Sequence, residues 1–70
     1  MEKTYIKKFS GFIVGIVETD SNGDKTVKDF SSGKILGYYK KSRDVTTDFY
    51  GKILAYGDIT AIFFKDHFNI

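Results

Sequence analysis

One short phrase occurs three times in this chain and restricts the fold more than any other feature. Thr26-Val27-Lys28-Asp29-Phe30 is followed, across Ser31-Ser32, by Gly33-Lys34-Ile35-Leu36-Gly37. Val45-Thr46-Thr47-Asp48-Phe49 is followed, across Tyr50, by Gly51-Lys52-Ile53-Leu54-Ala55. A looser copy runs from Tyr5-Ile6-Lys7-Lys8-Phe9 across Ser10 to Gly11-Phe12-Ile13-Val14-Gly15. Each copy is a β-rich run ending in Phe, a tight turn carrying Gly, and a second apolar run. The recurrence, from Phe9 to Phe30 to Phe49, is about one hairpin plus one link.

The phrase predicts paired strands. Residues 4–9 alternate Tyr5, Lys7 and Phe9 against Ile6 and Lys8, the period-2 pattern of a strand. Returning strands are expected over residues 12–18, 34–40 and 52–56, and outgoing strands over 26–30 and 45–49. Ser10-Gly11 suits a two-residue primed turn, and Asn22-Gly23 is the strongest short hairpin signal in the chain. Ser31-Ser32-Gly33 is one residue longer, which predicts a type I turn with Gly33 in the left-handed region and a G1 bulge. Gly11, Gly23, Gly33 and Gly51 are thus the expected turn residues. The absence of Pro fits as well, since Pro removes a ladder donor from a strand.

The returning strands carry apolar residues at adjacent positions, such as Ile35-Leu36 and Tyr38-Tyr39. An antiparallel sheet with one wet face alternates more cleanly than this. The expectation is an all-β antiparallel meander of about three hairpins, as a curled sheet, small barrel or flower, with a short C-terminal strand or helix. Gly15, Gly37 and Ala55 recur in mid-strand, where a missing side chain permits a bend or a close approach. After Gly57, Asp58 could cap a short helix bearing Ile59, Ile62 and Phe63 on one face. Residues 60–64 are also β-branched and aromatic enough for a closing strand, and the balance tips to strand. Residues 67–70 are apolar for a terminus and suggest docking.

Seventy residues make a single domain, residues 1–70, whose core is marginal at this size. Small folds usually add disulfides, a metal or partner subunits. The chain has no Cys and one His, so disulfides, thiolate sites and multi-imidazole sites are excluded within one copy. No cofactor is expected. Self-association is the remaining route, and seven Phe with five Tyr suit it. Lys7 and Lys8 interrupt any secretory-type apolar stretch, and no run approaches a bilayer span, so a cytoplasmic protein without a membrane partner is expected. A net charge of +2 with interspersed signs is no nucleic-acid footprint.

Asp29-Phe30 with residues 33–38, and Asp48-Phe49 with residues 51–55, resemble the repeated Asp-Phe-x-Gly-Lys-Ile-Leu-Gly-Tyr hairpins of small uncharacterised bacterial proteins of the four-fold β-flower type. Phe9 with residues 11–16 is a looser match. The resemblance covers roughly residues 4–58, and this chain shows three copies rather than four. It implies a β-hairpin repeat and no catalytic residues.

Three chemical readings compete with a purely structural one. Asp20-Ser21-Asn22-Gly23-Asp24 has the spacing of a calcium loop, but Lys25 and Ser31 stand where an EF-hand needs Gly and Glu. Asp29 and Asp48 recur before Phe at equivalent repeat positions, the placing of a carboxylate pair, but no His, Ser or Cys partner stands at a useful spacing, so no enzyme is expected. Lysines with tyrosines could bind single-stranded nucleic acid on a small barrel, although Asp29, Asp44, Asp48 and Asp58 would repel phosphate. The expected function is a self-associating structural or interaction module, with nucleic acid or another anionic ligand as the alternative. The candidate ligand surface is Tyr38, Tyr39, Tyr56 and Lys40. Replacing Gly33 with Val is expected to cost at least about 1–2 kcal/mol, the penalty of a left-handed β-branched residue. Denaturant unfolding of Gly33→Val measures this, and an unchanged midpoint would contradict the turn assignment.

Overall fold

Six strands follow one another both in sequence and in space. They are β1 (Glu2–Lys7), β2 (Ile13–Thr19), β3 (Lys25–Asp29), β4 (Ile35–Lys40), β5 (Val45–Asp48) and β6 (Ile53–Tyr56). The computed structural model describes residues 1–65. Every neighbouring pair is antiparallel, in the order β1-β2-β3-β4-β5-β6. The architecture is therefore the expected all-β meander of three hairpins. It is an open sheet, however, with β1 and β6 as its two edges, neither closed into a barrel or flower nor strongly curled as expected.

The apolar doublets of the returning strands have a local cause. Ile6 faces Gly15 but Lys7 faces Ile13, so Val14 is an extra residue in β2. Leu36 is extra in β4 between the pairs Val27–Gly37 and Lys28–Ile35. Leu54 is extra in β6 between Thr46–Ala55 and Thr47–Ile53. Each is a β-bulge, in which two residues oppose one and the alternation slips by one position. Ile13-Val14, Ile35-Leu36 and Ile53-Leu54 are thus one bulge repeated three times. The adjacent apolar residues do not require a closed barrel.

Cross-strand partners share a face of the sheet. One face carries Ile6, Gly15, Val17, Val27, Gly37, Tyr39, Thr46 and Ala55 by register. Its core is Val14, Val17, Val27 and Phe64, with Ile6, Leu36 and Phe63 packed against it. The other face carries Tyr5, Ile16, Ile35, Tyr38, Ile53 and Tyr56, together with the Lys28–Glu18 ion pair at 2.6 Å. That ion pair and its hydrogen bond hold the Glu18 carboxyl below its usual range against the opposing effect of burial.

Phe63 and Phe64 come from a 3-10 helix, η1 (Thr60–Phe64), not from the closing strand that residues 60–64 suggested. A strand there would have sent Phe63 and Phe64 to opposite sides. The tight turn lets both rings reach the sheet. Phe64 lies over Gly15 and Phe63 over Gly37, so closely that a Cβ on either glycine would fall within 2.3 Å of a ring carbon. At Gly37 a Cβ would also meet the Thr47 carbonyl oxygen at 2.3 Å. The mid-strand glycines therefore admit aromatic rings, and at Gly37 the expected close approach of another backbone as well. Residues 67–70, whose docking was expected, lie outside the described residues.

Gly15→Ala is expected to destabilise the fold by about 1–3 kcal/mol, as overpacking of a filled core does. Phe64→Ala, which empties the same site, should cost about 3–5 kcal/mol. Thermal unfolding checks both, and combining Gly15→Ala with Phe64→Leu should cost less than the sum of the two changes because they share one site.

Candidate functional site

In a meander, alternate loops share an end of the sheet. The β1–β2, β3–β4 and β5–β6 loops therefore project together, and these are the loops that contain the repeated phrase. The first is closed by Lys8 N–H donating to the Phe12 carbonyl and Gly11 N–H to the Lys8 carbonyl, both at 2.9 Å. The third is closed in the same way, from Asp48 N–H to the Lys52 carbonyl and Gly51 N–H to the Asp48 carbonyl. Each is a three-residue loop with a left-handed Gly, not a two-residue primed turn. The middle loop runs from Asp29 to Lys34 with four residues between them, and Gly33 has φ of 72°. The middle loop is still one residue longer than the others, because Phe leaves the strand in all three.

Asp side chains explain that shift in the second and third loops, whereas Lys8 holds the same position in the first. Asp48 Oδ1 accepts from the Tyr50 and Lys52 amides, both at 2.9 Å, and Asp29 Oδ2 accepts from the Ser32 amide at 2.9 Å. Such self-bonding Asp residues start turns in preference to extending strands. Asp29 Oδ2 and Asp48 Oδ1 are thus engaged on their own loops, where these residues act as loop builders. The following Phe is carried out to the tip. Phe9 is 100% exposed, Phe12 72% and Tyr50 90%, and Phe30 and Phe49 are about half exposed. Lys34, Ile35, Leu36, Phe49 and Tyr50 line an open depression of about 380 Å³ between the second and third tips. The Phe49 and Tyr50 rings meet edge to face, with centroids 5.3 Å apart.

The opposite end of the sheet is polar. Asp20 Oδ1 accepts from the Asn22 amide at 2.9 Å and the Asp24 amide at 3.1 Å, closing the β2–β3 loop around Gly23. Asp24 Oδ1 accepts from the Lys41 amide at 2.9 Å, tying that loop to the next. The calcium-like spacing thus serves turn closure. Among the described residues no three His, Cys, Asp or Glu side chains converge to hold a metal ion.

The tyrosines expected to form one surface are divided between two. Tyr39 is buried on the core face, and its hydroxyl donates to Asp44 Oδ1 at 2.6 Å. Tyr38 lies on the other face with Lys40 Nζ 4.9 Å from its ring centroid, and Tyr56 is exposed on edge strand β6. Tyr38, Lys40 and Tyr56 share a face by register, and Tyr39 does not. The tip residues Phe9, Phe12, Phe30, Phe49 and Tyr50 were not singled out as a site. The available signal was Asp before Phe, closely followed by Gly, in two of the three copies, which is a turn-opening pattern.

No family model matches the chain, and no curated protein or solved structure matches it.

The bond to Asp44, with burial and the nearby charges of Asp44, Asp58 and Asp24, pushes the Tyr39 hydroxyl up to about 12. The folded state therefore holds this proton more tightly than the unfolded chain, whose Tyr titrates near about 10. The resulting stability is complete below the unfolded pKa and is lost as pH rises from about 10 to 12. Tyr39→Phe should remove that part of the alkaline decline, as read from denaturation midpoints across the same window.

Proposed function

We propose that this chain is a non-catalytic interaction module that associates with a second copy of itself through edge strand β6. The observation that carries the reading is the unequal treatment of the two edges. β1 (Glu-Lys-Thr-Tyr-Ile-Lys) is guarded by Glu2, Lys3 and Lys7. β6 (Ile-Leu-Ala-Tyr) has no charge, and its Ile53, Leu54 and Tyr56 are exposed. An edge strand presents unpaired backbone donors and acceptors, and charged side chains are the usual means of blocking another chain from pairing there. Two β6 strands related by a two-fold axis would pair antiparallel and join the sheets in a self-complementary contact.

Four residues make only a short ladder, so the adjoining face must contribute. Ile35, Tyr38 and Ile53 lie there, and the molecular extents of 34 × 26 × 18 Å leave room for the roughly 800 Å² per partner of a standard interface. The resemblance to β-flower hairpin repeats is compatible with this reading and adds no catalytic role. Nucleic-acid binding by a closed barrel has less support, because the sheet is open.

Light scattering coupled to size exclusion, at micromolar concentration, should find a dimer or larger species. Leu54→Lys combined with Tyr56→Lys should weaken association by at least about tenfold, or about 1.4 kcal/mol, with the far-ultraviolet spectrum unchanged. A wild-type monomer under these conditions would overturn the proposal.

A further inference from the structure

We infer that the aromatic-tipped end of the sheet docks onto an anionic phospholipid surface. The inference is independent of β6, since it uses the β1–β2, β3–β4 and β5–β6 loops and neither edge. Three features of that end point to a membrane interface. Its rings project from separate hairpin tips, with Phe9, Phe12 and Tyr50 the most exposed. Alternate loops stand two strands apart, so adjacent tips are spaced by roughly 10 Å along a line. A row of convex apolar points complements a soft planar phase, which can close around each ring, better than it complements a groove.

Charge is placed to match. Lys8 precedes Phe9, and Lys34 and Lys52 directly follow the loop glycines, so each aromatic tip has a lysine in or beside its loop. The carboxylates at this end are Asp29 and Asp48, and both accept hydrogen bonds from their own loops. At the far end Asp20, Asp24, Asp44 and Asp58 are matched by Lys41 and Arg43 in the β4–β5 loop and by Lys25 and Lys40 at the strand ends. The tip end thus has Lys8, Lys34 and Lys52 against Asp29 and Asp48, a positive excess that the balanced far end lacks. Aromatic side chains favour the headgroup level of a bilayer, and nearby lysines add attraction to anionic lipids. No helix among the described residues could cross a membrane, and docking at the interface requires none.

Single-stranded nucleic acid suits the site less well. It needs ring faces in sequence along a cationic groove. Here Phe49 and Tyr50 meet edge to face within one tip, and the next tip is two strands away.

The test is co-sedimentation with phosphatidylcholine vesicles with and without phosphatidylserine, at low and high salt. The wild type should bind the phosphatidylserine vesicles, bind the neutral ones less, and release with salt. The triple variant Phe9→Ser, Phe12→Ser, Tyr50→Ser should lose binding by at least about tenfold while keeping its β spectrum, because these rings lie outside the core. Lys8→Gln, Lys34→Gln and Lys52→Gln should each weaken binding to the anionic vesicles by roughly fivefold. Phe12→Trp should show a blue shift with vesicles and quenching by brominated lipid. The charged edge variant of β6 should still bind through this end.

Absence of binding to anionic vesicles, or binding unchanged in the triple serine variant, would overturn the inference. So would tighter binding to an oligonucleotide than to vesicles. Loss of the dimer in the triple variant would also overturn it, because these tips would then belong to a contact between copies.

Discussion

Two phenyl rings lying against bare backbone hold this small sheet to η1, the cover that the described residues provide for its core face. Phe64 over Gly15 and Phe63 over Gly37 approach strands that no Cβ separates from them. The contact brings the C-terminal turn down onto Val14, Val17 and Val27, and Phe64 is 1% exposed as a result. A sheet with six strands and no disulfide has few other means of excluding water from one face. The glycines are therefore as much a part of the core as the rings that occupy them.

That packing depends on where η1 begins, and a polar cluster sets the place. Thr46, fully buried on β5, donates its hydroxyl to the Gly57 carbonyl at 2.7 Å and accepts from the Ile59 amide at 3.1 Å. Lys25 on β3 pairs with Asp58, while its ammonium lies 5.9 Å from the centre of the Tyr39 ring. The Asp58 carboxyl is raised by burial but more strongly lowered by Lys25 and Thr60, so it stays below the ordinary range. Strands β3, β4 and β5 thus each contribute to anchoring the turn that launches η1. Buried hydroxyls are tolerated here because their partners are supplied, and no buried side-chain donor or acceptor among the described residues lacks one.

The loops follow a different logic. Asp29 and Asp48 close them from below, so loop shape needs no support from the Phe side chains. The rings are consequently left outside the core, whereas the valines facing η1 are inside it. Large apolar groups in the open mark surfaces for a partner more often than surfaces for water. Here they gather at one end because a meander returns every second loop to the same place.

The chain's repeat was enough to establish its three hairpins, their order and antiparallel pairing, since local alternation and turn glycines act between neighbours in sequence. It ran the outgoing strands one position too far at Phe30 and Phe49, because an Asp side chain that caps its own loop competes with strand extension and periodicity does not register that, and two positions too far at Phe9, where the strand ends at Lys7. It also left the doublets Ile35-Leu36 and Ile53-Leu54 open to a barrel, since a bulge is defined only by its partner strand. The expected tyrosine surface is divided for the related reason that Tyr39 stands on the face opposite Tyr38, Lys40 and Tyr56. The conformation of residues 60–64 was decided by tertiary structure alone. Their composition permits strand or helix, and the seats offered by Gly15 and Gly37, distant in sequence, favour the turn that delivers both rings to one face.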